Sequence, residues 1–448
     1  MTGAVNYRLL VGLLLGVATV IRGHALHSNL LLSAGLGVLV ALTVLYYKKH
    51  FIPIMLFLLP FSPLLKMNPT SNSFFSIITF LVFLALSFTK RFRYDVKTTI
   101  ITVLLAVSCI AGKLITSNGL SFEFILYIVT LITLATYLKY YGNNVYFYAS
   151  YVFFMAGIFA SSFAATALLS TTNMSAYINV YEWANAGLTR YSGFYGDANY
   201  YSAQILVAIG MAYTLLLYKW SRRRTLLLWV SLPVLIYCGS LSVSKSFAII
   251  LAVVSMVWLG VTFLLPGRSM LRIRLFVMAA ILFLGLLVSG VLSSQIHMYQ
   301  TRLDMANSTS SLTTGRSDIF ANYVRYIKNN PRHWLFGQGL SQRYYQDFDF
   351  RAAHNTPLQI VYQLGFIGTV LLFSWVYYVA QLYRATQPHR LAKKHTKIAV
   401  VLVLACFLPW LALDILFFDD FFYVVIIFII GKTFISNMAA TKKQKGAV

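Results

Sequence analysis

Ser246–Leu265 reads SFAIILAVVSMVWLGVTFLL, twenty residues without a charge, entered through Lys245 and left through Pro266-Gly267-Arg268. That is the length a helix needs to cross a hydrocarbon layer of about 30 Å. An amphipathic surface helix would show a charged face, and this stretch has none. The pattern recurs along the chain, at 9–22, 29–46, 51–65, 74–89, 98–115, 121–138, 145–169, 198–218, 226–242, 273–293, 356–382, 397–416 and 419–437, so about fourteen spans in all. Of the 448 residues, 59% are hydrophobic and only 10% charged, where a soluble domain carries nearer a quarter. The expected fold is all-α, a polytopic transmembrane helical bundle forming a single membrane domain over 1–448.

Lys and Arg number 36 against 11 Asp and Glu, a net charge of +25. Nucleic acid is not the implied partner, because the cations stand in short clusters between apolar runs. Lys48-Lys49, Lys90-Arg91, Arg222-Arg223-Arg224 and Lys442-Lys443 are examples. Taken on alternate loops, these clusters mark the cytoplasmic side and put both termini there. Among the acids only Asp95 falls on that side. Arg8 followed by Leu9–Val20 has the outline of a signal peptide, but Ile21-Arg22-Gly23-His24-Ala25 is a poor cleavage site, and a retained first helix is expected. Cys109, Cys238 and Cys406 lie inside apolar runs and offer neither a disulfide framework nor a metal spacing.

Two outward segments exceed the length of ordinary connectors, about 170–199 and 294–355. The second contains an amphipathic helix over Ser317–Asn330, with Ile319, Phe320, Tyr323, Val324 and Ile327 on one face and Pro331 as its stop. Its position suits the membrane surface or the roof of a cavity.

Arg316 precedes that helix beside Thr314, Gly315 and Ser317. Free N–H groups, the positive dipole end and a guanidinium would together favour a phosphate or diphosphate; the plainer reading is a solvated arginine next to an ordinary cap. Arg190 ends the first outward loop, ahead of Gly193, Gly196, Asp197 and a helix beginning near Asn199. Two arginines on one membrane face could clamp a single diphosphate, and interfacial snorkelling is the alternative. Lys245 sits in Ser242-Val243-Ser244-Lys245-Ser246, where a cation so near hydrocarbon needs a partner: either a phosphate, or Asp414, Asp419 or Asp420. His354, beside Asn355 and just before a helix, is the leading general base, with His297 and His333 as competitors and a structural role as the bland reading. Asp347-Phe348-Asp349 is a weak metal signal without a third ligand, so no metal or other cofactor is expected. No Gly-x-Ser-x-Gly elbow supports a hydrolase, and no P-loop supports ATP-driven transport.

Taken together, these residues resemble the O-antigen ligase/polymerase superfamily of bacterial envelope enzymes. The resemblance rests on Arg190…Gly193…Asp197…Asn199, the serine-lysine turn at 242–246, Gly315-Arg316, Trp334…Phe336-Gly337-x-Gly339 and His354-Asn355…Gly365…Gly368. It covers about Arg190 to Gly368; the first seven spans match in hydropathy alone. The resemblance implies glycosyl transfer from an undecaprenyl-diphosphate-linked oligosaccharide, without metal or nucleotide sugar, at the outer face of the plasma membrane. Arg190 and Arg316 would hold the diphosphate and His354 would deprotonate the acceptor. Lys245, Asn355, Asn199, Asp197, Gly315 and Trp334 would line the substrate site. The family often has arginine where Lys245 stands, and lysine lacks the fork geometry.

The expectation is therefore a polymerase of lipid-linked repeat units, building capsule, exopolysaccharide or O-antigen, with a flippase and a chain-length regulator as candidate partners. A ligase delivering the glycan to lipid A-core, another envelope polymer or protein is the nearest alternative. A lipid-linked oligosaccharide transporter, or a purely structural subunit, is the alternative of another class. A transporter would bury ionisable residues mid-span and break helices near the midplane.

Overall fold

The structure, a computed structural model, describes residues 5–66, 74–88, 95–116, 119–169, 174, 177–178, 180–183, 188–264, 296–297, 300, 316–341, 352–386, 396–417 and 419–445. Fourteen α-helices lie within them. These are α1 (Tyr7–Ala25), α2 (Asn29–Leu58), α3 (Phe74–Ser87), α4 (Val96–Ile115), α5 (Phe122–Tyr141), α6 (Phe147–Ala167), α7 (Ala198–Leu216), α8 (Arg222–Ser240) and α9 (Lys245–Leu264). They continue with α10 (Arg316–Asn329), α11 (Pro331–Phe336), α12 (Thr356–Thr386), α13 (Thr396–Phe407) and α14 (Asp419–Lys445). Seven helical stretches are long and apolar enough to cross a membrane, and α3 and α13 are shorter apolar helices. The chain is a multi-pass helical membrane protein, although the number of spans is not fixed at fourteen. The run expected at 273–293 lies outside the described residues.

Side-chain oxygens begin several of the bundle helices. Asn6 accepts from the Leu9 N–H at 3.1 Å, and Asp95 accepts from Thr98 at 3.0 Å. Each satisfies a donor that the first helical turn leaves open. The runs expected at 29–46 and 51–65 join into the single helix α2. A straight helix of that length would extend about 45 Å. Yet the Leu64 carbonyl lies 2.9 Å from His24 Nε2, beside the place where Gly23 packs on Leu32. The chain must therefore double back within α2. The reversal falls near Lys48, whose carbonyl accepts from Asn144 at 3.1 Å while Tyr47 packs on Tyr141. Two oppositely directed limbs survive, as the apolar runs required.

The contacts sort into two ends. At one end stand Lys48 with Asn144, Lys139 3.9 Å from Asp95, Lys97 over the Tyr378 ring and Arg224 over Tyr148. At the other stand His24 with Leu64, Ser62 with Asp419, Tyr195 with Asp420, Arg190 with Ser242, and His354 with Asp414. The described clusters that positive-inside reasoning assigned to one side thus gather at one end, and the candidate site residues gather at the other.

Three local features depart from the simple bundle. In the first outward segment, β1 (Val180–Trp183) and β2 (Leu188–Tyr191) form an antiparallel pair with Tyr181 opposite Arg190, a small exception to the all-α expectation. The run expected at 356–382 is helical but broken at Gly365, whose φ of 63° lies in the left-handed region. Into this break docks the segment after α11: Gln338 N–H donates to Tyr362 O at 3.1 Å and Gly339 N–H to Gln363 O at 2.9 Å. A Cβ on Gly365 would run into the Leu335 carbonyl, and one on Gly339 into that of Cys109. Gly365→Ala should therefore lower stability by at least about 1–2 kcal/mol from the left-handed backbone alone, read as a depressed melting temperature of the detergent-solubilised protein.

The third is α10. Its Ile319 and Tyr323 pack with Ala353 and Tyr362, and Ile327 packs against the edge of that cluster. Phe320 and Val324 instead remain 46% and 43% exposed. Three of the five stripe residues cover the first limb of α12 and two face away from the protein.

Candidate functional site

His354 and Asn355 enter α12 against a carboxylate from another helix connection. Asp414 lies between α13 and α14 and accepts the His354 N–H at 2.6 Å and the Asn355 N–H at 3.1 Å. Asn355 Oδ1 in turn accepts from Leu358 at 3.0 Å, as an N-cap side chain does. Thr356 Oγ1 donates to Leu413 O and accepts from Ile415 N–H at 3.2 Å, so the two connections are laced together. His354 itself has φ 48°. A non-glycine residue in that region is strained unless its surroundings hold it there, and the two bonds to Asp414 do so.

Arg316 opens α10 and reaches the same connection, its Nη1 donating to Ala412 O at 3.1 Å. Burial pulls its guanidinium below the ordinary arginine value, while Asp197, Asp414 and Tyr200 oppose that shift. A half-buried cation with two carboxylates in electrostatic range stays charged.

Arg190 arrives from the β-hairpin. Its Nε donates to Ser242 O at 3.2 Å and its Nη2 to Asn199 Oδ1 at 3.3 Å. The turn after β2 bends at Gly193 (φ 58°) and Gly196 (φ 73°), backbone that favours glycine. Asp197 then caps α7, accepting the Asn199 N–H at 2.6 Å. Asn199 Oδ1 also accepts from Ser244 Oγ at 2.8 Å, which ties the serine turn before α9 to Arg190. Ser242 and Ser244 are fully buried and Val243 has φ 45°, so this turn is a rigid wall.

Asp197 is the link between the halves. Its charge acts on both Arg316 and His354, and its helix cap fixes the asparagine that holds Arg190. Burial, joined by the Arg316 charge, lowers the His354 pKa; Asp414 and Asp197 pull the other way without reversing it. The ring therefore stays neutral near pH 7, with a lone pair available. For Asp414, burial raises the carboxyl, opposed by the His354 and Asn355 N–H groups and by Arg316. The site thus combines two guanidinium groups, a neutral imidazole and two carboxylates at one end of a membrane bundle. It can hold a multiply charged anion beside a base.

Of the residues singled out in the sequence, Arg190, Asp197, Asn199, Arg316, His354 and Asn355 meet here. Lys245 is half-buried at the first turn of α9, next to the serine turn. Its suggested acidic partners have other ties: Asp414 as above, Asp419 with Ser62 at 2.6 Å, and Asp420 with Tyr195 and, at 2.7 Å, Gln204. Trp334 stacks on Phe366 at 5.3 Å, past the Gly365 break, rather than on any residue of the cluster. His333 is bonded to Tyr326 at 2.8 Å and His297 is exposed, which leaves His354 as the imidazole in the cluster. Gly315, Asp347 and Asp349 lie outside the described residues. Among those described, no three His, Cys, Asp or Glu side chains are placed to hold a metal ion.

Asp414 is the residue sequence reasoning undervalued, naming it only as a partner for Lys245. The available cue was a lone acid inside Leu413-Asp414-Ile415 at the end of an apolar run, where a charge is costly without a dedicated role. Tyr200, whose hydroxyl donates to Asp414 O at 2.9 Å, gave no such cue. Asp414→Ala should leave two N–H groups without their charged acceptor, a loss of roughly 1.5–3 kcal/mol per bond. Faster amide hydrogen exchange confined to the start of α12 and the 412–417 connection is the expected sign.

Residues 232–373 match a family model described as Wzy_C: O-Antigen ligase. No curated protein and no solved structure matches the chain. The matched segment holds Lys245, Arg316, Trp334, His354 and Asn355, while Arg190, Asp197, Asn199 and Asp414 lie beyond it.

Proposed function

We propose that this multi-pass membrane protein, in which residues 232–373 match the O-antigen ligase model, is an enzyme of the O-antigen ligase/polymerase type and that it polymerises undecaprenyl-diphosphate-linked oligosaccharide repeat units. The product is a surface polysaccharide assembled at the outer face of the plasma membrane. The observation that carries this reading is the convergence of Arg316 and His354 on Asp197 and Asp414, with Arg190 joined through Asn199.

In the proposed reaction, a sugar hydroxyl of the acceptor gives its proton to the neutral His354 ring. The hydroxyl oxygen bonds to the anomeric carbon of the donor as the bond from that carbon to the diphosphate oxygen breaks. The electron pair leaves with the polyprenyl diphosphate, and Arg190 and Arg316 stabilise the charge that grows there. Fixed cations in a water-poor site do this without reorganising. Asp197 and Asp414 act as positioning residues, orienting one guanidinium and one backbone strain point. The donor carries its own leaving group, so neither a nucleotide sugar nor a metal is required. Orientation follows the charge pattern, since the site occupies the end opposite the basic clusters.

The pH dependence follows from the imidazole. The base form is the active one, and its pKa lies below the ordinary 6.5. Transfer should thus be retained as pH falls through 6.5 and be lost only below it, so the acid limb of kcat/KM has its midpoint under pH 6.5. A limb centred above 7 would contradict a histidine so placed.

Cells expressing inactive variants separate polymerase from ligase. Loss of a polymerase leaves lipid-linked single repeat units; loss of a ligase leaves long lipid-linked chains. The first outcome is expected. A transporter would instead leave single units on the cytoplasmic face, inaccessible to periplasmic or external glycosidase.

A further inference from the structure

At the end of the bundle opposite the proposed active site, α12 and α14 run side by side and leave a half-open groove of about 250 Å³. Phe373 and Tyr377 of α12 and Phe428 of α14 line it together with two cations, Arg384 of α12 and Lys432 of α14, and the polar Gln381. Phe373 and Tyr377 are exposed although large and apolar, which is their expected state only if lipid covers them. Arg384 and Lys432 are exposed cations on separate helices. Lys432 is held over the Phe428 ring at 5.8 Å, so a cation and an aromatic face share the groove.

We propose that this groove is a binding site for an anionic glycerophospholipid of the inner leaflet. Its phosphate rests between Arg384 and Lys432 and an acyl chain lies along Phe373, Tyr377 and Phe428. Charge complementarity selects the occupant: an acyl chain alone would satisfy the walls, but two cations from different helices call for a phosphate between them. Basic pockets between membrane helices on the cytoplasmic side are the usual home of such head groups. Because α12 also carries His354 at its far end, a lipid bridging α12 to α14 would brace the helix on which the proposed base stands. The site itself does not depend on the glycosyl-transfer reading.

The test is native mass spectrometry of the full-length protein extracted from vesicles of equal parts phosphatidylglycerol and phosphatidylethanolamine. The wild type is expected to retain phosphatidylglycerol in roughly 25-fold excess, two cations at ~1 kcal/mol each. Arg384→Gln and Lys432→Gln should each reduce that preference by about five-fold, the equivalent of ~1 kcal/mol per cation. Lys432→Arg should preserve it. Equal retention of the two lipids by the wild type would overturn the proposal whatever the variants do. Unchanged preference in a monodisperse R384Q/K432Q double variant would overturn it too. Displacement of phosphatidylglycerol by an equal amount of undecaprenyl phosphate would reassign the groove to the substrate's lipid carrier and also overturn it.

Discussion

Replacing Arg316 by alanine is expected to reduce glycan polymerisation by roughly 10²–10³-fold or more, the usual loss when one fixed stabiliser of a developing anion is removed. Beyond its charge on His354 and Asp414, the guanidinium has little other work that would mask this effect. It makes one bond to the Ala412 carbonyl, and its helix is held by Ile319 and Tyr323. The variant should therefore fold and insert as the wild type does. Arg316→Lys is the sharper comparison. It keeps the charge between Asp197 and Asp414 but loses the planar fork that can engage a diphosphate through two bonds. Partial activity with a raised KM is expected, and full activity would argue that only bulk positive charge matters. Lipid-linked donor turnover in membranes, normalised to protein level, provides the measurement.

Substituting His354 has the second largest expected effect, about 10²–10⁴-fold in kcat. Backbone geometry dictates which substitution to use. At φ 48° an alanine adds strain, whereas asparagine tolerates the left-handed region and keeps the N–H that Asp414 accepts. His354→Asn should therefore be inactive yet as thermostable as the parent, and its residual rate should lose the acid limb. An active His354→Asn would remove the imidazole from the mechanism. Donor binding should be almost unaffected, because both arginines remain in place.

Much of this arrangement was legible in the sequence, and the exceptions have physical causes. Hydropathy located the apolar helices because twenty uncharged residues admit little else. It read 29–46 and 51–65 as separate runs, which is right in direction, although a single helical span, Asn29–Leu58, takes in the reversal at Lys48. Nothing local marks Gly365 as a helix break: glycine is common in membrane helices, and the break is stabilised by the Gln338–Gly339 segment docking from far along the chain. Periodicity found α10 but could not say that Phe320 and Val324 face outward, because lipid and protein core look alike to an apolar stripe. Arg190, Arg316 and His354 stood out as polar residues at helix entrances. Asp414 did not, since its function lies in backbone N–H groups sixty residues away in the chain.

The central claim is that Arg190, Arg316 and His354 act together on a lipid diphosphate. Its most direct measurement is the reaction of the purified protein in liposomes with a defined undecaprenyl-diphosphate-linked repeat unit supplied on the site's side. Glycan length and freed undecaprenyl diphosphate would be read together. The prediction is a ladder of lengthened lipid-linked chains, with one undecaprenyl diphosphate freed per bond formed and neither product from the Arg316→Ala protein. Movement of the intact unit across the bilayer, with no lengthening and no freed diphosphate, would contradict it.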